Sequence, residues 1–121
     1  MATINEVIEK VDKIKPNVFD ENQKAEWIYR LDGRISKEVL KEEPPRQYIY
    51  PEDADNELLV PHPYDDMYVF FLQAMIDYNN EEYGKYNNAM AMYNEAFNSY
   101  AKLYQRENMP KSSGGFKNLL G

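Results

Sequence analysis

The residues that could carry out chemistry are few and scattered along the chain. There is no cysteine, and the single histidine, His62, lies between two prolines. Thiolate nucleophiles, disulfides and thiolate zinc sites are therefore excluded, and one imidazole cannot assemble an ordinary zinc site within one chain. A catalytic histidine would also need a nucleophile or an orienting carboxylate, and the sequence singles out neither. We therefore predict that His62 is an exposed loop residue and that the chain is not an enzyme.

Three acidic residues alternate along the chain as the first ligands of a calcium loop do, namely Asp53, Asp55 and Glu57. The segment lacks the central glycine and the bidentate glutamate at the required distance. A solvated acidic turn is the favoured interpretation, with cation binding as the alternative. No Gly-rich phosphate loop, nucleophile elbow or His-Glu-x-x-His helix occurs in the sequence. No cofactor and no metal are predicted.

A stripe of aromatic residues gives the clearest pattern in the sequence. Its members are spaced 3-4-3-4-3-4: Tyr83, Tyr86, Met90, Tyr93, Phe97, Tyr100 and Tyr104. This spacing is an a/d seam, and it predicts a long helix that packs against a neighbour at a small angle. A stacking platform for single-stranded nucleic acid is the alternative, but such platforms come with a basic groove, which the sequence does not show.

The net charge of −7 is concentrated in one segment. Residues 42–66 hold eight acidic residues against Arg46 alone, while acids and bases balance on either side of the segment. Because phosphate contacts need clustered lysine and arginine, binding of nucleic acid, including sequence-specific binding, is disfavoured. The acidic segment is either a site for a basic protein partner or a solvated loop.

The elements that position these residues are predicted to be four helices, near 4–15, 21–42, 66–79 and 81–106. Thr3 and Glu6 have capping-box spacing, Asp20 and Gln23 offer a second cap, and Asp65 is placed to cap the third helix. The third helix is apolar on nearly all sides, which places it at the centre of a bundle or at an oligomer contact. The fold class is therefore all-α, with one bundle domain over residues 1–110.

Packing predictions follow from the same patterns. Trp27 and Leu31 are expected to be buried anchors of the second helix, and the middle of the stripe is expected to face helix 3 or helix 2 (Tyr86, Met90, Tyr93 and Phe97). Between the second and third helices, residues 43–64 contain five prolines, which exclude a helix there. Residues 47–50 and 57–60 are candidates for short strands that pair as a small β ribbon.

Residues 111–121 are predicted to form a flexible C-terminal tail. Phe116, Leu119 and Leu120 follow the glycine pair Gly114-Gly115 at i, i+3 and i+4 spacing. A segment of this form can lay an amphipathic turn into a groove on a partner, so these three residues are the candidate partner-binding residues. A frayed terminus is the alternative.

The sequence also bears on location. The first residues lack a basic region followed by an apolar one, so no secretory signal is expected. The longest nearly continuous apolar run, residues 67–76, is interrupted by Gln73 and falls short of the roughly 20 residues that span a bilayer. A soluble, intracellular protein with no membrane partner is expected.

Several stretches resemble a known protein family. They are residues 27–33 (WIYRLDG), residues 57–68 (ELLVPHPYDDMY), residues 74–79 (AMIDYN) and residues 86–94 (YNNAMAMYN). These are similar to small proteins of the head-morphogenesis region of tailed phages and prophages of Gram-positive bacteria, in the head–tail connector (adaptor, head-completion) group. The resemblance covers most of residues 1–110 and includes no catalytic signature.

The resemblance implies a helical bundle with an extended loop or small β element. It also implies a structural role in virion assembly, in which subunits form a homo-oligomeric ring beneath the portal and a C-terminal segment docks on the portal or a neighbouring neck protein. The location would then be the virion neck, or the bacterial cytoplasm for a prophage-encoded protein. The alternative is a bacterial cytosolic adaptor or regulatory module that binds a single protein partner through the surface of helix 3.

Overall fold

A computed structural model describes residues 2–45 and 47–108, in which four helices follow one another along the chain. Their bounds are Ile4–Ile14 for α1, Glu21–Glu38 for α2, Asp66–Asn79 for α3 and Tyr83–Glu107 for α4. The predicted all-α helical bundle is confirmed. In the described residues the β pairing amounts to one isolated antiparallel bridge between Thr3 and Glu57. No described helix is both long and apolar enough to span a membrane.

The capping box predicted for α1 is present. The amide of Glu6 donates to the Thr3 hydroxyl at 3.2 Å, and the amide of Thr3 donates to the Glu6 carboxylate at 3.1 Å. The apolar face of α1 is buried in the core (Ile4, Val7, Ile8 and Val11). After α1 ends, the Lys15 ammonium reaches the buried carboxylate of Asp77 in α3 at 2.6 Å, so one ion pair joins the first and third helices.

α2 begins as predicted, because the Asp20 carboxylate accepts from the amide of Gln23 at 2.8 Å. It ends at Glu38 and not at residue 42 as predicted. Lys41 adopts a positive φ of 60°, and the amide of Glu42 turns back to the carbonyl of Ser36 at 2.9 Å. The chain thereby leaves the helix axis a turn early, in a conformation that the helical periodicity of the sequence does not reveal.

α3 is the central helix of the bundle, since it comes into contact with each of the other three. Its fully buried residues include Met67, Tyr68, Leu72 and Ile76. The predicted cap of this helix is wrong in detail: Asp65 stands at the N-cap position, but its side chain accepts no capping hydrogen bond. The Asp65 carboxylate instead lies 3.3 Å from Nδ1 of His62.

α4 lies on the outside of the other helices. Among the described helices it comes close to α3 alone, and the two run antiparallel, as their ring pairs show: Tyr64 with Tyr100, Phe71 with Tyr93, and Tyr78 with Tyr86. The predicted seam therefore faces α3. Tyr93 is buried, and Tyr86, Met90 and Phe97 are half-buried on the same side of the helix.

The predicted β ribbon in the long loop is wrong. Residues 57–60 meet the start of α1 instead of residues 47–50: Glu57 pairs with Thr3, and the amide of Leu58 donates to the carbonyl of Ala2 at 2.8 Å. Within the described part of residues 47–50 there is no strand. Leu58 and Val60 are nonetheless fully buried, so the loop contributes side chains to the core.

One buried carboxylate holds this loop against the helices. Asp32 of α2 is fully buried and accepts from the Tyr48 hydroxyl at 2.7 Å, the Leu59 amide at 2.9 Å and the Tyr68 hydroxyl of α3. The Tyr68 hydroxyl in turn accepts from the amide of Val60 at 2.9 Å. Burial first, and the Asp32 carboxylate second, raise the pKa of Tyr68 far above its usual value. Side chains from α2 and α3 thus satisfy two loop amides inside the core.

The two predicted anchors of α2 differ in burial. Leu31 is buried as predicted, with 1% of its surface exposed. Trp27 is only half-buried, and its ring packs edge-on against Phe19 with the centroids 5.5 Å apart. The prediction that Trp27 is a buried anchor is therefore wrong. The segment between α1 and α2, which includes Phe19, covers only part of the Trp27 ring.

Candidate interaction surfaces

The residues that suggested metal chemistry do not converge. His62 is exposed, and its Nδ1 lies 3.3 Å from the carboxylate of Asp65. The Asp53 carboxylate accepts from the backbone amide of Ile49 and from the side-chain amide of Asn56 within its own turn, whereas the Asp55 carboxylate accepts from the Asn5 side chain at 2.9 Å. Over residues 2–45 and 47–108, no three histidine or acidic side chains come together in a way that could hold a metal ion.

Five carboxylates from three parts of the chain line one shallow groove. We call this surface the acidic face, and its members are Glu6, Glu9, Asp12, Glu21 and Asp55. The groove has a volume of about 660 Å³ and is otherwise lined by Thr3, Asn5 and Ile8. The hydrogen bond from Asn5 to Asp55 joins the acidic loop to α1 and brings the carboxylates together.

Two contacts describe the electrostatics of the acidic face. Lys24, only 3% exposed, donates to the Asp12 carboxylate at 2.7 Å and so neutralises the edge of the surface nearest α2. At the other edge, the Tyr50 hydroxyl donates to Glu21 at 3.3 Å. Burial, followed by the charges of Glu21 and Asp55, raises the pKa of Tyr50. After burial, the charges of Glu21 and Asp55 act on Tyr50 in the direction expected of nearby carboxylates.

A count of charges along the sequence does not reveal the acidic face, because its carboxylates come from separate parts of the chain. Acids and bases balance over the first 41 residues, so the carboxylates of α1 seemed compensated. Their spacing was the available signal: Glu6, Glu9 and Asp12 are three residues apart and therefore share one side of a helix.

A second surface is aromatic and lies at the turn from α3 to α4. The ring centroid of Tyr78 is 5.8 Å from that of Tyr83 and 5.2 Å from that of Tyr86. About half of the Tyr78 and Tyr83 surfaces is exposed, at 52% and 53%. We call these three residues the aromatic corner. Further along α4, Met92 is 48% exposed and lines a groove together with Phe70 of α3.

A third surface is an apolar groove at the other end of α4. We call it the α2–α4 groove; its apolar lining is Val39 and Leu40, just after α2, with Phe97, Ala101 and Tyr104 of α4. Its volume is about 710 Å³, and Glu38 and Lys41 stand at its rim. Asn108, the last described residue, also lines it. Phe116, Leu119 and Leu120, the partner-binding residues expected from the sequence, lie outside the described residues.

Comparison with models of protein families, with curated proteins and with solved structures found no match to this chain.

Proposed function

We propose that this chain is a structural subunit of a multi-protein assembly, and specifically a head–tail connector subunit that forms a ring beneath the portal of a tailed phage or prophage. Its place would be the virion neck, or the bacterial cytoplasm before assembly. The viral context rests on the sequence resemblance alone, while the assembly role also rests on the surfaces of the subunit.

The position of α4 is the observation that carries the proposal. Among the described helices, this 25-residue helix packs on α3 alone, and many of its residues are exposed, including Met92. The aromatic corner at its first turn is a different apolar surface on the same subunit. A ring requires a heterologous interface, in which one surface of a subunit contacts an unlike surface of the next. Exposed tyrosines are suited to such contacts, because they combine apolar area with a polar tip.

The acidic face agrees with a conduit for DNA. Glu6, Glu9 and Asp55 are exposed and carry the same charge sign as DNA. A channel lined by such surfaces repels the phosphate backbone and does not retain the DNA that passes through it. In a ring, we therefore place the acidic face toward the lumen and α4 toward the neighbouring subunit.

The adaptor alternative needs a free surface on helix 3, and the fold offers little of one. Among the fully covered residues of α3 are Met67, Tyr68, Leu72, Ala74 and Ile76. Its most exposed large apolar residue is Tyr78, which belongs to the aromatic corner. A partner that recognises a broad face of α3 would have to displace another helix.

The test is to replace Tyr83 by glutamate and to measure the mass of the assembly. Position 83 begins α4, where a carboxylate is favourable to the helix, so folding should be unaffected. We expect the natural protein to form rings, alone or on the purified portal, and Tyr83→Glu to lose them, as seen by light scattering after size exclusion and by electron microscopy.

Asn22→Glu is the matched control, because it adds the same charge at an exposed position in the first turn of another helix, α2, outside α4 and the aromatic corner. It should assemble normally. Rings formed equally well by Tyr83→Glu would remove the aromatic corner from the interface. A natural protein that stays monomeric at every concentration and ignores the portal would refute the proposed function.

A further inference from the structure

We propose that, in the unassembled subunit, the C-terminal segment 116–120 folds back and occupies the α2–α4 groove of its own chain. The segment would act as a latch that covers an apolar surface until assembly. This goes beyond the proposed function, since the contact itself is a property of the isolated chain. Only its role in regulating assembly rests on that function.

The groove is suited to a short apolar segment. Val39, Leu40, Phe97 and Tyr104 are half-buried, so their inner sides pack on the core while their outer sides line the groove. Ala101 is small and leaves space in the groove between the larger side chains. A volume of about 710 Å³ is in the range of clefts that hold ligand-sized groups. Phe116, Leu119 and Leu120 supply three apolar side chains on one side of a helical turn.

The chain is long enough to reach the groove. The distance along α4 from Phe97 to Asn108 is about 16 Å, at 1.5 Å per residue. Phe116 is eight positions after Asn108, and these eight steps can span up to about 26 Å when the chain is extended. Reversal of direction is helped by Gly114 and Gly115, which have no side chain to restrict the backbone.

Proximity favours the chain's own segment over that of a second copy, and charge favours contact of the segment with the body of the protein. Only seven residues lie between Asn108 and Phe116, and a tether this short gives an effective concentration of the order of millimolar, above that of any neighbour in dilute solution. Residues 109–121 carry two lysines and no acidic residue, whereas the whole chain has a net charge of −7. The segment is thus attracted to the body of the protein as a whole, while the groove itself is lined by one charge of each sign, Glu38 and Lys41.

The absence of native cysteine makes the contact directly measurable. A nitroxide attached at Asn118→Cys should broaden the methyl NMR signals of Val39, Leu40 and Ala101 in the full chain, and should leave those of Ile8 and Val11 sharp. A second sample mixes isotope-labelled protein without a nitroxide and unlabelled protein with one. We expect no broadening there, because the contact is within one chain.

Two helix variants and one tail variant complete the design. Ala101→Glu places a charge in the groove and should abolish the broadening in spin-labelled protein. Ser99→Glu makes the same change in charge at an exposed position two residues away and should retain it. Phe116→Ser, which leaves the groove unaltered, should also abolish it and keeps the test valid if Ala101→Glu perturbs folding.

Each other outcome overturns the latch. Broadening in the mixed sample would show that the occupant is the segment of a second copy. Sharp groove signals in the full chain would show that the segment does not bind there. Both measurements use the isolated subunit in dilute solution, so failure of the latch leaves ring formation untouched, and failure to form rings leaves the latch standing.

Discussion

At the scale of single residues, the most consequential group is the buried carboxylate of Asp32. Asp32 is completely buried in α2 and accepts hydrogen bonds from two tyrosine hydroxyls and a loop amide. Burying a carboxylate is costly unless it is well satisfied, and these donors supply that satisfaction. Because the donors come from the long loop and from α3, the same contacts fix the loop in place.

Removal of one hydroxyl tests this arrangement. Tyr68→Phe takes a donor from Asp32 and leaves the buried amide of Val60 without its acceptor, so the free energy of unfolding should fall by about 1–3 kcal/mol. Urea unfolding followed by circular dichroism measures the change. Tyr83→Phe is the matched control, since its ring is half exposed and its replacement should change stability by less than about 0.5 kcal/mol. Equal effects of the two variants would contradict the role given to Asp32.

The buried tyrosines of the core predict a loss of folding stability at alkaline pH. Burial is the first cause of the raised pKa values of Tyr68, Tyr93 and Tyr100. The unfolded chain ionises near pH 10, before these folded groups do, so the unfolded state loses protons first and becomes favoured as pH rises. Stability should be independent of these groups below about pH 9 and should decline above about pH 10.

Urea midpoints measured on both sides of that pH check the sign. Tyr68→Phe should show a shallower decline than the natural protein, because it lacks the most strongly shifted group. A midpoint that rises in alkali would contradict the burial of these hydroxyls.

At the scale of helices, α2 is anchored by its aliphatic face more than by its tryptophan. Leu31→Ala should cost about 2–5 kcal/mol, because it opens a cavity at a fully buried site. Trp27→Ala should cost less than the roughly 3–5 kcal/mol of a buried aromatic, because its ring is partly in solvent and contacts Phe19 outside the centre of the core. Thermal and urea unfolding of the two variants decide the order. A larger loss for Trp27→Ala would restore it as the main anchor.

The sequence predicted what depends on local periodicity. The four helices, the Thr3–Glu6 capping box and the seam of α4 all follow from residues a few positions apart. It did not predict features set by distant partners. Residues 57–60 have the composition of a strand, but their partner is the start of α1, more than 50 residues away. Asp32 reads as a solvated helix residue, because nothing local shows that Tyr48 and Tyr68 meet it.

At the scale of the whole molecule, the subunit has unlike surfaces in different places. Carboxylates from α1, α2 and the loop form the acidic face, while the apolar surface lies at the two ends of α4. Separate charged and apolar surfaces allow separate roles. Exposed charges mainly steer association and set orientation, whereas buried apolar contacts set its strength. We therefore expect added salt to change the rate of assembly more than its final extent.

The tail is the part of the molecule whose removal best separates folding from assembly. Deletion of residues 112–121 removes Phe116, Leu119 and Leu120 and leaves the described core unchanged. Because the α2–α4 groove lies outside that core, the loss of the latch should lower the unfolding free energy by less than about 1 kcal/mol. Binding to the portal or incorporation into heads should nonetheless be lost, since the tail is proposed to dock there once it leaves the groove.

Thermal unfolding and binding to purified portal measure the two effects on the same protein. Normal portal binding by the shortened chain would refute the docking role, and a large fall in stability would show that the tail is an integral part of the fold.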